Sequence, residues 1–256
     1  MASPLLVFDL DGTLVDSAPD LLATLDAIFP RHGFPAPADP TLRDGIGHGA
    51  RHLIEVALSR QNVAIDRAAV GAIHRDFLEH YEANICRESR LYAGTAALLD
   101  RFEAAGWCFA VCTNKREGLS RKLLEALGVA ERFAAICGSD TFATYKPDPA
   151  HLTETIKAAS GVADRAVMVG DSQTDRDTAR NAGVPFVGVT FGYTPVPMVE
   201  LDPDLLADHF DEVSLAAVSR LVVDRSAARS LRRPAGVAGS LISAIAAPID
   251  RKIQGG

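Results

Sequence analysis

The residues best suited to chemistry are two aspartates, Asp9 and Asp11, which follow a short apolar run near the start of the chain. Alternate side chains of a strand point to the same face, so both carboxylates would leave the strand end together. Gly12 allows a tight turn there, with backbone N–H groups available to an anion. Two carboxylates this close repel each other unless a cation lies nearby. The pattern therefore predicts a cation-binding strand end, and a plain Asp-Gly turn is the weaker interpretation.

Three more polar motifs follow, each at or near the end of an apolar run. They are Val111-Cys112-Thr113-Asn114, Lys146-Pro147-Asp148-Pro149 and Gly170-Asp171-Ser172-Gln173-Thr174-Asp175. Taken singly, they indicate a strand-end hydroxyl, a surface lysine before a turn and an acidic helix start. Taken in this order after the paired aspartates, they resemble the four motifs of the haloacid dehalogenase superfamily, and specifically those of its phosphatase branch.

The resemblance implies phosphoryl transfer to a carboxylate. Asp9 would be the nucleophile that forms an aspartyl-phosphate, and Asp11 would protonate the leaving alkoxide and then activate water. Thr113 and Lys146 would neutralise charge on the phosphoryl oxygens, and Asn114 would contact the substrate. The dehalogenases that this chain resembles lack the second aspartate, because a halide needs no proton. The presence of Asp11 therefore favours phosphate esters.

The same resemblance implies a Mg²⁺ ion as cofactor. This ion prefers carboxylate and carbonyl oxygens and usually keeps several waters. The implied ligands are Asp9, Asp171 and the backbone carbonyl of Asp11. Asp175 would either bind the ion or support its ligands.

The elements that must position these residues follow an α/β pattern. Apolar runs predict five buried parallel strands at 5–9, 108–113, 134–137, 166–170 and 186–189. Helical patterns separate the last four strands, at 119–127, 151–159 and 175–182. This alternation predicts a doubly wound (Rossmann-like) parallel sheet, whose active site lies outside the carboxyl ends of the strands. Every motif falls at or near such an end.

One connection is much longer than the others. The first strand ends at residue 9 and the second begins near residue 108, roughly three times the length that a strand–helix–strand crossover needs. Helical patterns at 17–29, 50–58 and 68–84 fill this stretch. We therefore predict an inserted helical cap at 16–90 and an α/β core at 1–15 and 91–219. A basic C-terminal tail at 220–256, with seven Lys or Arg against two Asp, is predicted to be disordered or to form a short helix.

The cap is expected to select the substrate. Its clearest feature is the loop Asp44-Gly45-Ile46-Gly47-His48-Gly49-Ala50-Arg51, where alternate glycines precede a helix and permit close approach to a ligand. This loop resembles the cap loop of phosphoglycolate phosphatases. We therefore predict that Gly47, His48 and Arg51 bind substrate, with solvated residues at a helix start as the alternative. Tyr193 either fits the same family pattern or packs a loop.

Composition excludes several other classes. The net charge of −7 argues against general binding to nucleic acid. The N-terminal residues have no basic segment leading into a long apolar run, so we expect no signal peptide, and the apolar runs fall short of the about 18 residues that span a membrane. Its four cysteines have no metal-site or redox spacing, and Cys108, Cys112 and Cys137 are expected in the core. We expect a cytoplasmic monomer or homodimer without membrane or nucleic-acid partners.

Together these patterns predict a Mg²⁺-dependent phosphatase that hydrolyses a small phosphorylated metabolite, 2-phosphoglycolate, to glycolate and phosphate. Hydrolysis of another small phosphate ester or of pyrophosphate, and a sugar-phosphate mutase reaction, remain open. A non-enzymatic receiver domain is disfavoured, because a single α/β domain of that kind has no use for an inserted cap.

Overall fold

The computed structural model of the protein describes residues 3–63 and 67–222. The described residues form the strands β1 (Leu5–Phe8), β2 (Val15–Asp16), β3 (Arg90–Leu91), β4 (Cys108–Cys112), β5 (Phe133–Cys137), β6 (Ala166–Gly170), β7 (Phe186–Val189) and β8 (Leu205–Ala207). Six of them lie side by side in the order β5-β4-β1-β6-β7-β8, and every neighbouring pair is parallel. The strands β2 and β3 form a separate antiparallel ribbon.

The order of the large sheet identifies its topology. Counted along the chain within this sheet, the strands lie in the order 3-2-1-4-5-6, which is that of a doubly wound Rossmann-type fold. The predicted fold class is thereby confirmed. The direction of winding reverses at β1, which pairs with β4 on one side and β6 on the other. Ligands of such sheets bind beyond the carboxyl ends of the strands at this reversal.

Helices cover both faces of the sheet and build the cap. They are α1 (Ala18–Ile28), α2 (Ala50–Arg60), α3 (Arg67–Ala83), α4 (Thr95–Ala104), α5 (Glu117–Ala126), α6 (Pro149–Ala158) and α7 (Gln173–Ala182). In β1, Leu6 and Phe8 pack into the cluster with α4 and α5, whereas Leu5 and Val7 pack into the cluster with α6 and α7. Consecutive side chains of a strand alternate between faces, so this short apolar strand is buried on both sides.

The cap has a hydrophobic cluster of its own. It is built by α1, α2 and α3 with the 3₁₀ segments Phe29–His32 and Pro40–His48. Leu25 of α1 and Phe77 of α3 are both buried in this cluster. The chain passes between core and cap at the β2–β3 ribbon, where residue 15 pairs with residue 91 and residue 16 with residue 90.

A buried aspartate fastens the two crossings together. The carboxylate of Asp20, in the first turn of α1, accepts hydrogen bonds from the backbone N–H groups of Glu88 (2.9 and 3.1 Å) and Ser89 (2.9 Å) and from the Ser89 hydroxyl (2.6 Å). These bonds hold the chain that returns from the cap against the helix that enters it.

The observed elements differ from the predicted ones mainly at their ends. The helices α6 and α7 begin two residues before the predicted starts, at Pro149 and Gln173. Asp148 caps α6 by accepting from the N–H of Ala150, and Ser172 forms a capping box on α7. Because Pro149 and Ala150 in α6, and Gln173 and Thr174 in α7, add no large apolar side chain, apolar periodicity detects each helix late. The strands β2, β3 and β8 were not predicted, because their two or three residues are too few to show alternation.

The structure describes only the first residues of the predicted C-terminal tail. Residues 215–222 are helical, and Val218 and Val222 are buried against the core sheet. The predicted tail at 220–256 therefore begins within this helical stretch, and its residues 223–256 lie outside the described residues. Within the described part of the chain, every helix falls short of the length and apolarity needed to cross a bilayer.

Candidate active site

Asp9 lies directly after β1, at the carboxyl edge of the sheet. It is 2% exposed, and its N–H continues the sheet by donating to the carbonyl of Val169 (2.9 Å). Its Oδ1 accepts from the N–H of Leu10 (2.7 Å) and lies 2.8 Å from Nζ of Lys146. The strand pairing and these two contacts fix the carboxylate in place.

Two further buried aspartates lie beside Asp9. Asp171 follows β6, and Asp175 lies in the first turn of α7. One carboxylate oxygen from each of the three residues lies within 4.8 Å of the others. An all-oxygen set of this kind suits a hard divalent cation.

The backbone is packed closely around Asp171. A Cβ atom on Gly12 would lie 2.4 Å from Oδ2 of Asp171, and a Cβ on Gly192 would lie 2.2 Å from its Cβ. The carboxylate accepts from the Thr13 hydroxyl (2.7 Å) and from the N–H of Tyr193 (2.8 Å). Both glycines are therefore required by close approach, and the two hydrogen bonds orient the carboxylate within this space.

The electrostatics of this cluster favour an added positive charge. Burial raises the pKa of Asp9 to about 8, and repulsion from Asp175 adds to this rise. Burial, again with repulsion from Asp175, raises the pKa of Asp171 to about 7. A cation bound between the carboxylates would reverse both effects, because it stabilises their ionised forms.

Lys146 is the buried lysine of the cluster. Its Nζ donates to Oδ1 of Asp175 (2.6 Å) and lies 2.8 Å from Oδ1 of Asp9. Burial alone would lower the pKa of Lys146, but the charges of Asp175 and Asp9 outweigh burial and raise it. The cluster thus holds three carboxylates against one ammonium group, which leaves it short of positive charge.

Thr113 and Asn114 border the cluster from β4. Thr113 is 2% exposed, and its N–H donates to the carbonyl of Cys137 at the end of β5 (3.0 Å). The side-chain amide of Asn114 donates to the carbonyls of Lys146 (3.1 Å) and Gly47 (3.2 Å). Asn114 therefore connects the core loop that contains Lys146 to the cap loop that contains Gly47.

Asp11 lies in different surroundings from Asp9. Nζ of Lys115 donates to both of its carboxylate oxygens, at 2.9 and 3.0 Å. The Ser17 hydroxyl donates to Oδ1 of Asp11 (2.5 Å). Ser17 is the N-cap residue of α1 but makes no capping bond with its side chain, because its hydroxyl is bonded to Asp11. The second aspartate is thus connected to the start of the cap.

Lys115 is buried and remains charged. Burial would lower its pKa, but Asp11 and Tyr81 outweigh burial and raise it. Its Nζ lies 4.5 Å from the ring centroid of Tyr81, on the cap helix α3. This is the geometry of a cation–π contact, so a lysine of the core is held partly by the cap.

The glycine loop of the cap lies against the core. The carbonyl of Gly47 accepts from Asn114, and Nδ1 of His48 lies 3.3 Å from the Thr174 hydroxyl at the start of α7. Burial lowers the pKa of His48, and the neighbouring His52 lowers it further. The predicted cap residues Gly47 and His48 therefore contact the core at the carboxyl edge of its sheet.

Arg51 is placed differently. It lies in the first turn of α2, half of its side chain is exposed, and it forms an ion pair with Glu55 on the same helix (3.7 Å). It borders the cavity between cap and core, and like His48 it is exposed to solvent.

Two cavities meet at His48. One, of about 520 Å³, lies between cap and core and is lined by Asp11, Lys115 and Arg51 among others. The other, of about 370 Å³, is lined by Asp171 and the residues that begin α7. His48 lines both, so the glycine loop separates a space beside Asp11 from a space beside the acidic cluster.

Comparison with known proteins decides the family. A family model described as haloacid dehalogenase-like hydrolase matches residues 6–189, which is more than half of the chain. The chain belongs to the haloacid dehalogenase-like hydrolases. The predicted family and the predicted hydrolase class are thus confirmed, and the match covers all four sequence motifs.

Individual members of this family are similar over most of their length. A phosphoglycolate phosphatase from Mesorhizobium japonicum is 48% identical over 222 residues, which cover 87% of this chain and 98% of that protein. One from Agrobacterium fabrum is 45% identical over 226 residues, covering 88% and 97%. A crystal structure described as that of a predicted phosphoglycolate phosphatase from Haemophilus somnus has a TM-score of 0.76 at 30% identity, covering 82% of this chain and 96% of that one.

Tyr193 joins the hydrolase core to the cap crossing. Its hydroxyl accepts from the N–H groups of Ser17 (2.7 Å) and Ala18 (3.0 Å) and donates to Oδ1 of Asp16 (2.7 Å), while its own N–H donates to Asp171. Burial raises its pKa. The structure therefore supports packing and positioning as its role.

Lys115 was missed by the sequence analysis. A lysine in a loop is usually solvated, and its burial depends on Tyr81, which lies in the cap. The available signal was its position directly after Thr113 and Asn114, where the chain leaves the carboxyl edge of the sheet.

Proposed function

We propose that the protein is a Mg²⁺-dependent phosphatase that hydrolyses 2-phosphoglycolate, a small phosphorylated metabolite, to glycolate and phosphate. The observation that carries the chemistry is the pair Asp9 and Asp11, placed at the end of β1 with a buried lysine on each. The substrate is supported by the phosphoglycolate phosphatases that match nearly the whole of their length to this chain.

The residues present fit a Mg²⁺ ion. Three buried carboxylates converge, with an excess of negative charge and raised pKa values at Asp9 and Asp171. Asp9, Asp171 and the backbone carbonyl of Asp11 would hold the ion. Both oxygens of Asp175 already accept hydrogen bonds, one from Lys146 and one from Ser172, which favours a supporting role. When bound, the ion supplies positive charge to the phosphoryl group.

In the first step Asp9 acts as nucleophile. One of its carboxylate oxygens forms a bond to phosphorus, and the bond between phosphorus and the ester oxygen breaks. Asp11, two residues further on, is protonated in the substrate complex and gives this proton to the departing alkoxide, which leaves as glycolate. The product on the enzyme is a phosphorylated Asp9.

In the second step Asp11 acts as base. It takes a proton from a water molecule, whose oxygen forms the new bond to phosphorus while the bond to Asp9 breaks. Phosphate leaves, and both aspartates return to their starting states. Lys115 and Ser17 hold the Asp11 carboxylate in position for both steps.

Charge on the phosphoryl oxygens is neutralised from the core. Lys146 is fixed by Asp9 and Asp175 beside the point of attack. The Thr113 hydroxyl accepts from the N–H of Lys115 (3.2 Å) and so keeps its own proton to donate to a phosphoryl oxygen. Because these groups are held by the fold before substrate binds, they need no reorganisation during the reaction.

The test is phosphate release from a panel of substrates with and without Mg²⁺. The panel contains 2-phosphoglycolate, sugar phosphates, nucleoside monophosphates and pyrophosphate. We expect Mg²⁺-dependent release with the highest kcat/KM for 2-phosphoglycolate. A higher kcat/KM for another member of the panel would reject 2-phosphoglycolate as the preferred substrate but would still support a phosphatase. Isomerised sugar phosphate without net phosphate release would instead indicate a mutase.

A further inference from the structure

Lys115 is a buried cation, and the attack of Asp9 on phosphorus does not require it. It lies in the loop after β4, is 9% exposed and borders the cavity of about 520 Å³ between cap and core. Its ammonium group contacts both oxygens of Asp11. An ammonium group has three donors, so Lys115 can bind Asp11 and a second anion together.

The cap fixes the position of this ammonium group. Tyr81 is 1% exposed, and its ring stacks on that of Phe77 in the same helix, with centroids 6.3 Å apart and planes at 14°. The Lys115 Nζ lies over the face of this ring. A ring held on one side by its own helix restricts where the lysine can lie, so cap and core together define the site.

The other cations that line this cavity are less suited to hold a small anion. The side chains of Arg51 and Arg116 are about half exposed. Each is paired with a carboxylate near it, Arg51 with Glu55 and Arg116 with Asp140. Charge contacts at exposed sites are weak because water screens them. Lys115 has already lost most of its contact with water, so an anion that binds it gains a stronger interaction.

The dimensions of the proposed substrate match this site. In 2-phosphoglycolate a single methylene group separates the ester oxygen from the carboxylate. The ester oxygen must contact Asp11 to receive its proton, and Lys115 lies 2.9 Å from Asp11. A carboxylate one carbon away from that oxygen is therefore within reach of the ammonium group.

We propose that Lys115 binds the carboxylate of the substrate and thereby selects 2-phosphoglycolate over esters that lack this group. This inference rests on the proposed function and adds a specificity residue to it. The ammonium group is shared between Asp11 and the substrate, and Tyr81 holds it over the cavity.

The experiment compares two substrates in a Lys115→Met variant. The substrates are 2-phosphoglycolate and 2-hydroxyethyl phosphate, in which a hydroxymethyl group replaces the carboxylate. We expect kcat/KM for 2-phosphoglycolate to fall about 100-fold, mainly through KM, because a polar site left without its charge partner discriminates strongly. For 2-hydroxyethyl phosphate we expect a smaller loss of about fivefold, which falls on kcat, because Asp11 loses the lysine that helps to hold it but keeps its hydrogen bond from Ser17.

A matched control is Lys122→Met. Lys122 is also a lysine of the core that pairs with the cap, through Glu82, but it is half exposed and lies on α5, outside the residues that line the cavity. This variant should leave kcat/KM for both substrates unchanged, which separates loss of the carboxylate site from loss of any contact between lysine and cap.

Each outcome has a distinct meaning. If the wild-type protein does not prefer 2-phosphoglycolate, the proposed function fails whatever Lys115 does. If the wild type prefers it but Lys115→Met lowers kcat/KM for both substrates by the same factor, Lys115 only positions Asp11 and this inference is overturned. If Lys115→Met does not fold, Lys115→Arg replaces it, because its larger planar head group keeps the charge but cannot occupy the position of the ammonium group between Asp11 and the Tyr81 ring. That variant should lower kcat/KM about 10-fold more for 2-phosphoglycolate than for 2-hydroxyethyl phosphate, and equal losses would overturn the inference.

Discussion

The two aspartates that follow β1 lie two residues apart but in opposite electrostatic surroundings. Around Asp9, three buried carboxylates share one buried lysine, and every member belongs to the core. Around Asp11, one carboxylate is paired with one buried lysine and receives a hydrogen bond from Ser17. The lysine of this second pair also contacts Tyr81 of the cap.

The difference separates two tasks. The Asp9 side lacks positive charge, so it suits a divalent cation and, with that charge added, a phosphoryl group. On the Asp11 side one carboxyl group already has a lysine of its own, and residues of the cap and its linker complete the site. We infer that the core alone sets the chemistry at phosphorus, whereas contact with the cap sets the position of the acid–base group and the choice of leaving group.

The largest expected effect is loss of the nucleophile. Asp9→Asn keeps the shape of the side chain but removes the attacking carboxylate, so we expect kcat to fall about 10⁴-fold or more. The variant should remain folded, since one charge has been removed from a repelling cluster. Steady-state kinetics and thermal unfolding measure the two effects. Asp100→Asn, at a 71% exposed side chain, is the matched control and should behave as wild type. Activity in Asp9→Asn near that of this control would refute the assignment.

The acidic cluster should make stabilisation by Mg²⁺ depend on pH. The pKa of Asp9 is raised from 3.8 to about 8 and that of Asp171 from 3.8 to about 7. Between pH 3.8 and about pH 8 the metal-free folded protein binds more protons at these two carboxyl groups than the unfolded chain does. Its free energy of unfolding therefore falls as pH rises through this range. Mg²⁺ binds the ionised carboxylates and opposes this loss. We expect the rise in Tm caused by Mg²⁺ to be about 4 °C or more larger at pH 8 than at pH 6.

The same scan on a variant isolates the cause. In Asp9→Asn one of the two titrating groups is gone, so the dependence of the Mg²⁺ effect on pH should shrink. A rise in Tm that is the same at pH 6 and pH 8 in the wild type would show that protons and metal do not compete at this cluster.

Loss of the acid–base group should have a smaller and more selective effect. In Asp11→Asn we expect kcat for 2-phosphoglycolate to fall about 10²–10³-fold, because the alkoxide leaves without a proton. For p-nitrophenyl phosphate, whose leaving group needs no proton, release of the first nitrophenol per enzyme should stay close to the wild-type rate. Equal loss of this first turnover with both substrates would place Asp11 outside the leaving-group step.

The smallest effect is expected at the exposed cap arginine. Arg51→Ala removes a half-exposed cation paired with Glu55, so we expect kcat/KM for 2-phosphoglycolate to fall by about fivefold at most. The change should be smaller still for 2-hydroxyethyl phosphate. A loss as large as that expected for Lys115→Met would move recognition of the carboxylate from the buried lysine to the cap surface.

The Asp9 side could be predicted almost completely from sequence. Its residues follow apolar strands directly, and parallel strands bring their carboxyl ends to one edge, so local patterns place Asp9, Thr113 and Asp171 near each other. Lys146 was predicted from its motif, although the sequence did not show that it contacts both Asp9 and Asp175.

The Asp11 side could not be predicted in this way. Its partners are Lys115, more than 100 positions away, and Ser17 in the linker to the cap. The burial of Lys115 depends on Tyr81, whose own position depends on how the cap cluster packs. Such contacts between domains leave no periodic pattern in the sequence. Tyr193 is similar, because its hydroxyl reaches residues 16 to 18 across the fold.

The most direct test of this separation is to trap the phosphorylated enzyme. Asp11→Asn is mixed with p-nitrophenyl phosphate and Mg²⁺, quenched in acid, and analysed by mass spectrometry of its peptides. We expect one phosphoryl group on the peptide that contains Asp9, in an amount equal to the nitrophenol released in the first turnover, because the second step has lost its base. Nitrophenol release without phosphate on Asp9, or phosphate on another residue, would contradict the account.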